Sequence, residues 1–518
     1  MKNFLLLTAL SISVYGKAQT CAGVIFTSGP NALGTGGGYN TYQQNCLSYN
    51  ADLNTVLWTH RASPYWNFPG YTSGCIQSTW LNVSTNTWDS TIIYRNTTNV
   101  KAGRYPGGTI FNPLGNTNIA NAFMVGSGPT NDGTNWTGAW YSSRQPTGSY
   151  HTVTTAQNDS GFCLSGQAPF GNIADQGVHS FGGPNADMQQ VGNTVFVAGS
   201  FFDASYIYTA IDKIPAKGAI IGKATYLGGN LTWSADSIIP NFRVGTLGYL
   251  NIGQTRIAFS PNGQIGYVVF IGRLATNYGN ASADSALTPI VYKSTNGGAT
   301  WSSSPILPGF NWVQGHPEMK QGVGYVWQNA VTTLTPYMEH GLDVTVDSIG
   351  TLHLVTSITN ATQFVTGNLD SLAAYKHSYE WDYQKHHPII WDMMTDGTTW
   401  NTILVDSIKT SFMSGTTTDT TSPNNPWAGV TLLSYGARIQ VSRSLTGGKI
   451  FYSWTDSDTS QTHTLFNTNP DIYMKSYDIS NQLVTPTSNV TPGLGQCYFH
   501  YLSDVSYYDS NVGGYVCP

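Results

Sequence analysis

The chain has 518 residues, of which 9% are Asp, Glu, Lys or Arg, and its formal net charge is −5. With so little charge and no basic run, it lacks the clustered Lys and Arg that phosphate contacts require, which excludes a nucleic-acid partner. Abundant Gly, Asn, Ser, Thr, Tyr and Trp disfavour long amphipathic helices and suit strands joined by tight turns, so the composition predicts an all-β chain held together by repetition.

In chain order, residues 1–18 read as a secretory signal: Lys2 gives a positive start, Phe4 to Tyr15 is a short apolar run, and Gly16 and Ala18 are small residues at a cleavage site. The run is too short for a membrane span, which takes about 20 apolar residues. No later stretch is long and apolar enough either, so residues 19–518 are expected to form one exported, monomeric domain. All six cysteines, Cys21, Cys46, Cys75, Cys163, Cys497 and Cys517, lie beyond the cleavage point, and no C-x-x-C pair occurs. An oxidising compartment then favours disulfides over metal ligation.

Hairpins follow, each a short strand, a Gly or Asn turn, and a second strand rich in β-branched and aromatic residues. Clear copies are Ile257 to Phe270 around Pro261-Asn262-Gly263, Asp343 to Ser357 around Ser348-Ile349-Gly350, and Ile439 to Thr455 around Thr446-Gly447-Gly448. Weaker copies sit near Val56, Phe123 and Val195. A second series is a polar turn running into tryptophan, at Thr87-Trp88, Asn135-Trp136, Thr232-Trp233, Thr300-Trp301 and Thr399-Trp400. Near the end, Asp504-Val505-Ser506 parallels Asp343-Val344-Thr345, and Gly513-Gly514 supplies a turn, which makes Asp504 to Val516 one more first hairpin. The expected fold is a single β-propeller of six or seven blades, seven favoured, with antiparallel four-stranded blades and loop insertions. Seven blades follow if Ala22 to Thr27 completes the last one, which would bring Cys21 near Cys517 as a disulfide pair.

Ser294-Thr295-Asn296-Gly297-Gly298-Ala299-Thr300-Trp301 fits the Asp-box pattern S-x-D-x-G-x-T-W, with Asn in the Asp place. A short polar side chain at Asn296 can bond the turn's backbone, and Gly298 permits a positive φ. On this motif the chain resembles the Asp-box, or bacterial neuraminidase repeat, propellers, and more closely the large secreted proteins of that type from the Bacteroidota. The resemblance implies that Ser294, Asn296, Gly298, Thr300 and Trp301 are structural and sit on a blade periphery. Degenerate boxes lie at Asp396-Gly397-Thr398-Thr399-Trp400 and Thr130-Asn131-Asp132-Gly133. Such relatives carry a C-terminal sorting domain, which is not visible before Pro518, so the chain is expected to be truncated or to leave by another route. The pattern Asp-Ser/Thr plus a small apolar residue or Thr, as at Asp89-Ser90-Thr91, Asp236-Ser237-Ile238 and Asp406-Ser407-Ile408, resembles an O-glycosylation site of those bacteria; ordinary turns would also produce it.

Chemistry is harder to place. Sialidases of this fold use an arginine triad, a tyrosine paired with glutamate, and an Arg-Ile-Pro segment, and no Arg-Ile-Pro occurs here. Arg61, Arg95, Arg256 and Arg438 are possible anion binders, although surface or blade-edge positions are the expectation for arginine. All three glutamates and six of the eleven histidines fall between His316 and His387. Within that region Glu339, Asp343 and Glu380 are the catalytic candidates, and His377, Trp381, His386 and His387 the ligand-binding ones. A solvated insertion loop would collect the same residues. His353 alternates within Leu352 to Val355 and reads as a strand residue. Spacing singles out no metal; Asp456 and Asp458, in a polar loop before Asp471, are the only calcium candidates, and a plain turn is preferred there. No cofactor is expected. The function predicted is binding of extracellular glycan or a surface protein, aromatic side chains giving contact area. The alternatives are a sialidase-like glycoside hydrolase acting on extracellular polysaccharide and a structural surface component.

Overall fold

A computed structural model describes residues 45–62, 74–94, 102–104, 106–131, 136–146, 157–158, 187–202, 216–245, 248–249, 251–276, 288–308, 337–359, 389–408, 438–457, 470–492 and 500–518. Among them the chain is almost entirely strand, with one short 3-10 turn at Ile119–Asn121. Four-stranded antiparallel sheets repeat along it. The first holds Leu47–Asn50, Thr55–Arg61, Ile76–Asn82 and Thr87–Tyr94. The third runs from Asp187–Val191 to Asn230–Ile238, and the fifth from Tyr337–Val346 to Trp400–Ser407. Between them, the second sheet has five strands, Gly107–Phe111 among them, the fourth has three described strands starting at Asn251–Phe259, and the sixth starts at Gln440–Ser444 within a seven-stranded sheet. A last hairpin pairs Val505–Asp509 with Gly514–Val516.

The first, third, fourth and fifth sheets are meanders in sequence order, and a short turn joins the first strand to the second in each sheet except the second, where residues 112–122 with the 3-10 turn make the connection. The hairpins read from sequence are these first pairs, including the weaker ones near Val56, Phe123 and Val195. Every first strand touches the first strand of the next sheet, and Val505–Asp509 returns against Leu47–Asn50. Tyr49 and Tyr507 stack there at 4.4 Å between ring centroids. Val505–Asp509 also pairs in parallel with Gln440–Ser444. This closed cycle of radial sheets is a β-propeller.

The core lies between the sheets and is divided among their interfaces. Val197 and Ile220 of the third sheet pack with Phe111 and Val125 of the second. Phe259 and Val268 of the fourth meet Ala198 and Ile221 of the third. Trp391 and Leu354 of the fifth meet Tyr267 and Val269 of the fourth. Trp454 and Tyr452 of the sixth meet Val355 and Ile390 of the fifth. Tight turns at one end let the sheets converge: Gly447, at φ 72°, has no room for a β-carbon, which would lie 2.6 Å from the Ser348 nitrogen of the fifth sheet and 2.7 Å from Pro261 of the fourth.

Thr87-Trp88, Thr232-Trp233 and Thr399-Trp400 enter fourth strands, and Thr300-Trp301 follows the third strand of the fourth sheet. Trp136 differs, because it opens the third strand of the second sheet and so lies at the opposite sheet end. At residues 294–301 the Asn296 Oδ1 accepts from Thr300 N at 2.9 Å, and the Ser294 hydroxyl accepts from Gly298 N at 2.9 Å. Asp396 and Asp478 accept backbone N–H groups in the matching turns of the next two sheets. A side-chain acceptor thus closes each of these turns.

Candidate active site: the polar axis

The first strands deliver one polar side chain after another to the propeller axis. Asn45, Asp187, Arg256, Asp343, Gln440, Arg443 and Asp504 line a pocket there, with Met188, Val344, Val441 and Leu502 between them. The sequence places them through a shared local pattern: Asp187-Met188-Gln189, Arg256-Ile257-Ala258, Asp343-Val344-Thr345, Gln440-Val441-Ser442 and Asp504-Val505-Ser506. A polar residue followed by an apolar one on a strand sends the first toward the axis and the second into a sheet interface.

Four of these side chains reach across toward the next sheet, three of them to its first strand and Gln440 to the segment just before Val505–Asp509. Asp187 Oδ2 accepts from Ile257 N at 2.9 Å. Arg256 Nε donates to the Leu342 carbonyl at 2.8 Å. Asp343 Oδ2 accepts from Val441 N at 2.8 Å, and Gln440 Oε1 accepts from Leu502 N at 2.7 Å. The axis is therefore a series of clamps, each joining one sheet to its successor. Both oxygens of Asp187 and of Asp343 are engaged, since Asn45 Nδ2 and Met188 N donate to Asp187 Oδ1 and Val344 N donates to Asp343 Oδ1.

Burial of so many carboxyls in one place shifts their protonation. Burial raises Asp187, against the opposing charge of Arg256 and its hydrogen bonds. Asp343 is pushed up to about 7 by burial and by the charge of Asp187, although Arg256 pulls it down. Asp504 rises to about 6 through burial, with Arg443 opposing; Arg443 itself is lowered by burial. Asp343 keeps 22% of its side-chain exposure, and Asp504 is likewise half-buried, so both carboxyls with a pKa near neutrality line the pocket space.

The sequence candidates fall out unevenly. Asp343 lies in this pocket. Glu339 lies within the strand Tyr337–Val346, but its side chain is outside the described ones. Glu380, His377, Trp381, His386 and His387 lie outside the described residues, as do Cys21, Arg95, Asp458 and residues 1–18. Arg256 and Arg438 correct the surface expectation for arginine: they are 1% and 5% exposed, Arg256 because the Leu342 carbonyl and the Asp343 carboxylate repay its desolvation, and Arg438 with its guanidinium over the Tyr501 ring. Asp456 is a second correction, lying buried within the strand Lys449–Ser457, opposite Asp471, where a loop was expected. Asn489 Nδ2 and the Thr491 hydroxyl donate to the Asp471 carboxylate, and no group of three or more metal-ligating side chains occurs among the described residues. The Cys517 thiol carries no disulfide among the described residues and is raised to about 11 by burial.

His353 is a strand residue, as expected, but a charged one. Its Nδ1 lies 2.6 Å from Asp392 Oδ2 and its Nε2 3.4 Å from Asp347 Oδ2, while the Tyr452 hydroxyl donates to Asp392 at 2.6 Å. The two carboxylates overcome the burial that would lower the imidazole, and hold His353 at about 9. All four side chains are 2% exposed or less, so this network ties the fifth sheet to the sixth and offers no surface to a ligand.

Asp187, Gln440, Arg443 and Asp504 were missed as site residues. The repeated Asp-Val-Thr/Ser triplet was visible, but Asp187-Met188-Gln189 shares with it only an aspartate followed by an apolar residue.

No family model matches the sequence, and no curated protein matches it. No helix among the described residues is long and apolar enough to cross a membrane. Among solved structures the chain is similar to the polysaccharide lyase Uly1, at 10% identity and TM-score 0.41, over 90% of this chain and 86% of that one. An ulvan lyase gives 9% identity and TM-score 0.39 over 88% and 84%. The NanB sialidase of Streptococcus pneumoniae gives 11% and 0.32 over 93% and 66%. Backbones that superpose this loosely transfer neither a site nor an activity.

Proposed function

We propose that this chain is an exported β-propeller of seven blades that binds extracellular glycan at the end of its axis and does no chemistry there. One observation carries the reading: the axial polar side chains are committed to clamping successive sheets, which leaves a rigid, hydrogen-bonding pocket floor and engages both oxygens of Asp187 and Asp343. Preorganised polar groups of this kind suit a ligand rich in hydroxyls. The cycle of seven first strands supports seven blades; Ala22 to Thr27, expected to complete the last one, lie outside the described residues. The turn at residues 294–301 serves architecture alone, as does the matching turn at Asp396.

The test is a glycan array together with a panel of chromogenic glycosides, both on the mature chain. Binding without turnover is expected; turnover that Asp343→Asn abolishes overturns the binding-only reading. That second reading, a glycoside hydrolase, is favoured by the Asp343 and Asp504 carboxyls, because pKa values of about 7 and about 6 suit a general acid or base near neutral pH.

A further inference from the structure

One axial carboxylate stands outside the series of clamps. Asp187, Arg256, Asp343 and Gln440 each bond a backbone group of a following sheet or of the segment that leads into it. Asp504 is the next in chain order and lines the same pocket. Among the described residues its carboxylate bonds no other sheet: Oδ1 accepts from the neighbouring Ser503 hydroxyl at 3.4 Å, and the Asp504 backbone supplies the other bond. A hydroxyl donor ordinarily approaches to about 2.5–3.0 Å, so the Ser503 contact is weak. Asp504 is half-buried, and neither of its oxygens is a buried atom lacking a partner, which leaves its spare acceptor capacity open to the pocket.

The charges around it are already engaged. Arg443 Nη1 donates to the Ser444 and Leu445 carbonyls, both at 3.2 Å, toward the turn of its own sheet. Arg256 donates to the Leu342 carbonyl and stands 3.9 Å from Asp343. The three carboxyls Asp187, Asp343 and Asp504 thus share the pocket with two guanidiniums, and the surplus charge is negative once all are ionised. Burial pushes Asp504 up to about 6, with Arg443 opposing and the charge of Asp187 adding to the rise. Above that pH the fold carries an ionised carboxylate that is costly to bury and joins nothing. Groups that lower stability without a structural bond concentrate where a ligand is held.

We infer that Asp504 is the ligand-contacting group of the axial pocket, its unclamped carboxylate accepting hydrogen bonds from the hydroxyls of a neutral saccharide. The inference rests on the glycan-binding reading and narrows it: the ligand brings donors and no anion, because the surplus charge of the pocket repels one. It is tested at pH 8, where Asp504 is ionised, by titrating the full chain with cellotetraose, laminaritetraose, mannotetraose and xylotetraose, and with the anionic tetragalacturonate and a sulfated carrageenan tetrasaccharide. At least one neutral probe binds, and binds more tightly than either anionic one. Asp504→Ala weakens that binding by about tenfold or more, because a charge-assisted acceptor is lost. Urea midpoints separate contact from architecture. Asp504→Asn keeps or raises the midpoint, since it removes a buried charge that clamps nothing. Asp187→Asn lowers it, because its amide turns an N–H against one of the donors at Ile257, Met188 or Asn45. Undiminished binding by Asp504→Ala, a midpoint for Asp504→Asn as low as that for Asp187→Asn, or preference for an anionic probe overturns the inference and leaves the glycan reading standing. Binding of none of the six probes removes both.

Discussion

The carboxylate of Asp343 accepts a hydrogen bond from the backbone nitrogen of Val441, 98 residues away, and so joins the fifth sheet to the sixth at the axis. Asp187 does the same for Ile257, one pair of sheets earlier. Removing such an acceptor leaves a buried N–H unsatisfied at a cost of about 1–3 kcal/mol. Asp187→Ala and Asp343→Ala are each expected to lower stability by that order, read as a fall in the urea midpoint. The double variant should add the two losses, since the clamps act on different interfaces. No change in midpoint for either would mean that the axis contributes nothing to holding the sheets together.

Asp343 also gives a pH signature. Its folded pKa of about 7 exceeds its unfolded value, so its contribution is fully present below pH 4 and is lost as pH rises through 7. His60, lowered to about 4 by burial, works in the opposite sense: its contribution is present above 6.5 and lost as pH falls through 4. The two slopes oppose each other between pH 4 and 7. Asp343→Asn removes one of them, so the melting temperature of the variant should climb more steeply over that window than that of the wild type. A parallel pair of curves would show that the axial carboxyl titrates normally.

The first hairpins, the short turns and the all-β class were legible because each is written locally, in alternation and in Gly or Asn at a turn. The axis was not, because it is assembled from residues such as Asp187 and Asp343 that lie 156 positions apart and share only a two-letter pattern. Arginine was misjudged for the same reason: burial of Arg256 depends on the carbonyl of Leu342, 86 residues on, which no local window contains. The Glu380 and His386 region drew attention by composition, which says what a segment holds and nothing about what it faces.

In the turn after the third strand of the fourth sheet, Gly298 stands at φ 78°, and a β-carbon there would lie 2.6 Å from the Phe196 ring. Gly298→Ala therefore suffers both backbone strain and overpacking, and should cost about 2–4 kcal/mol. Asn296→Ala loses the acceptor for Thr300 N and should cost about 1–2 kcal/mol. Asn296→Asp keeps that acceptor and turns the Thr300 hydroxyl from acceptor to donor, so it should be nearly neutral. Equilibrium unfolding of the three variants orders them; an Asp substitution as damaging as Ala would overturn the account of the turn.

The buried network around His353 sets the alkaline limit. The imidazole meets Asp392 and Asp347, with the hydroxyls of Tyr452 and Tyr477 on the same side, and its folded pKa is about 9. A histidine raised in this way contributes stability that is complete below pH 6.5 and disappears as pH rises through 9. The shift corresponds to a loss on the order of 3 kcal/mol. Unfolding midpoints measured from pH 6.5 to 9.5 should fall accordingly, well before tyrosine titration begins. His353→Gln strands two buried carboxylates and should cost about 3–5 kcal/mol at pH 6.5, yet it should flatten the slope above that pH, because the titrating group is gone. Retention of the wild-type slope in the variant would place the alkaline loss elsewhere in the fold and free His353 of any part in joining the fifth sheet to the sixth.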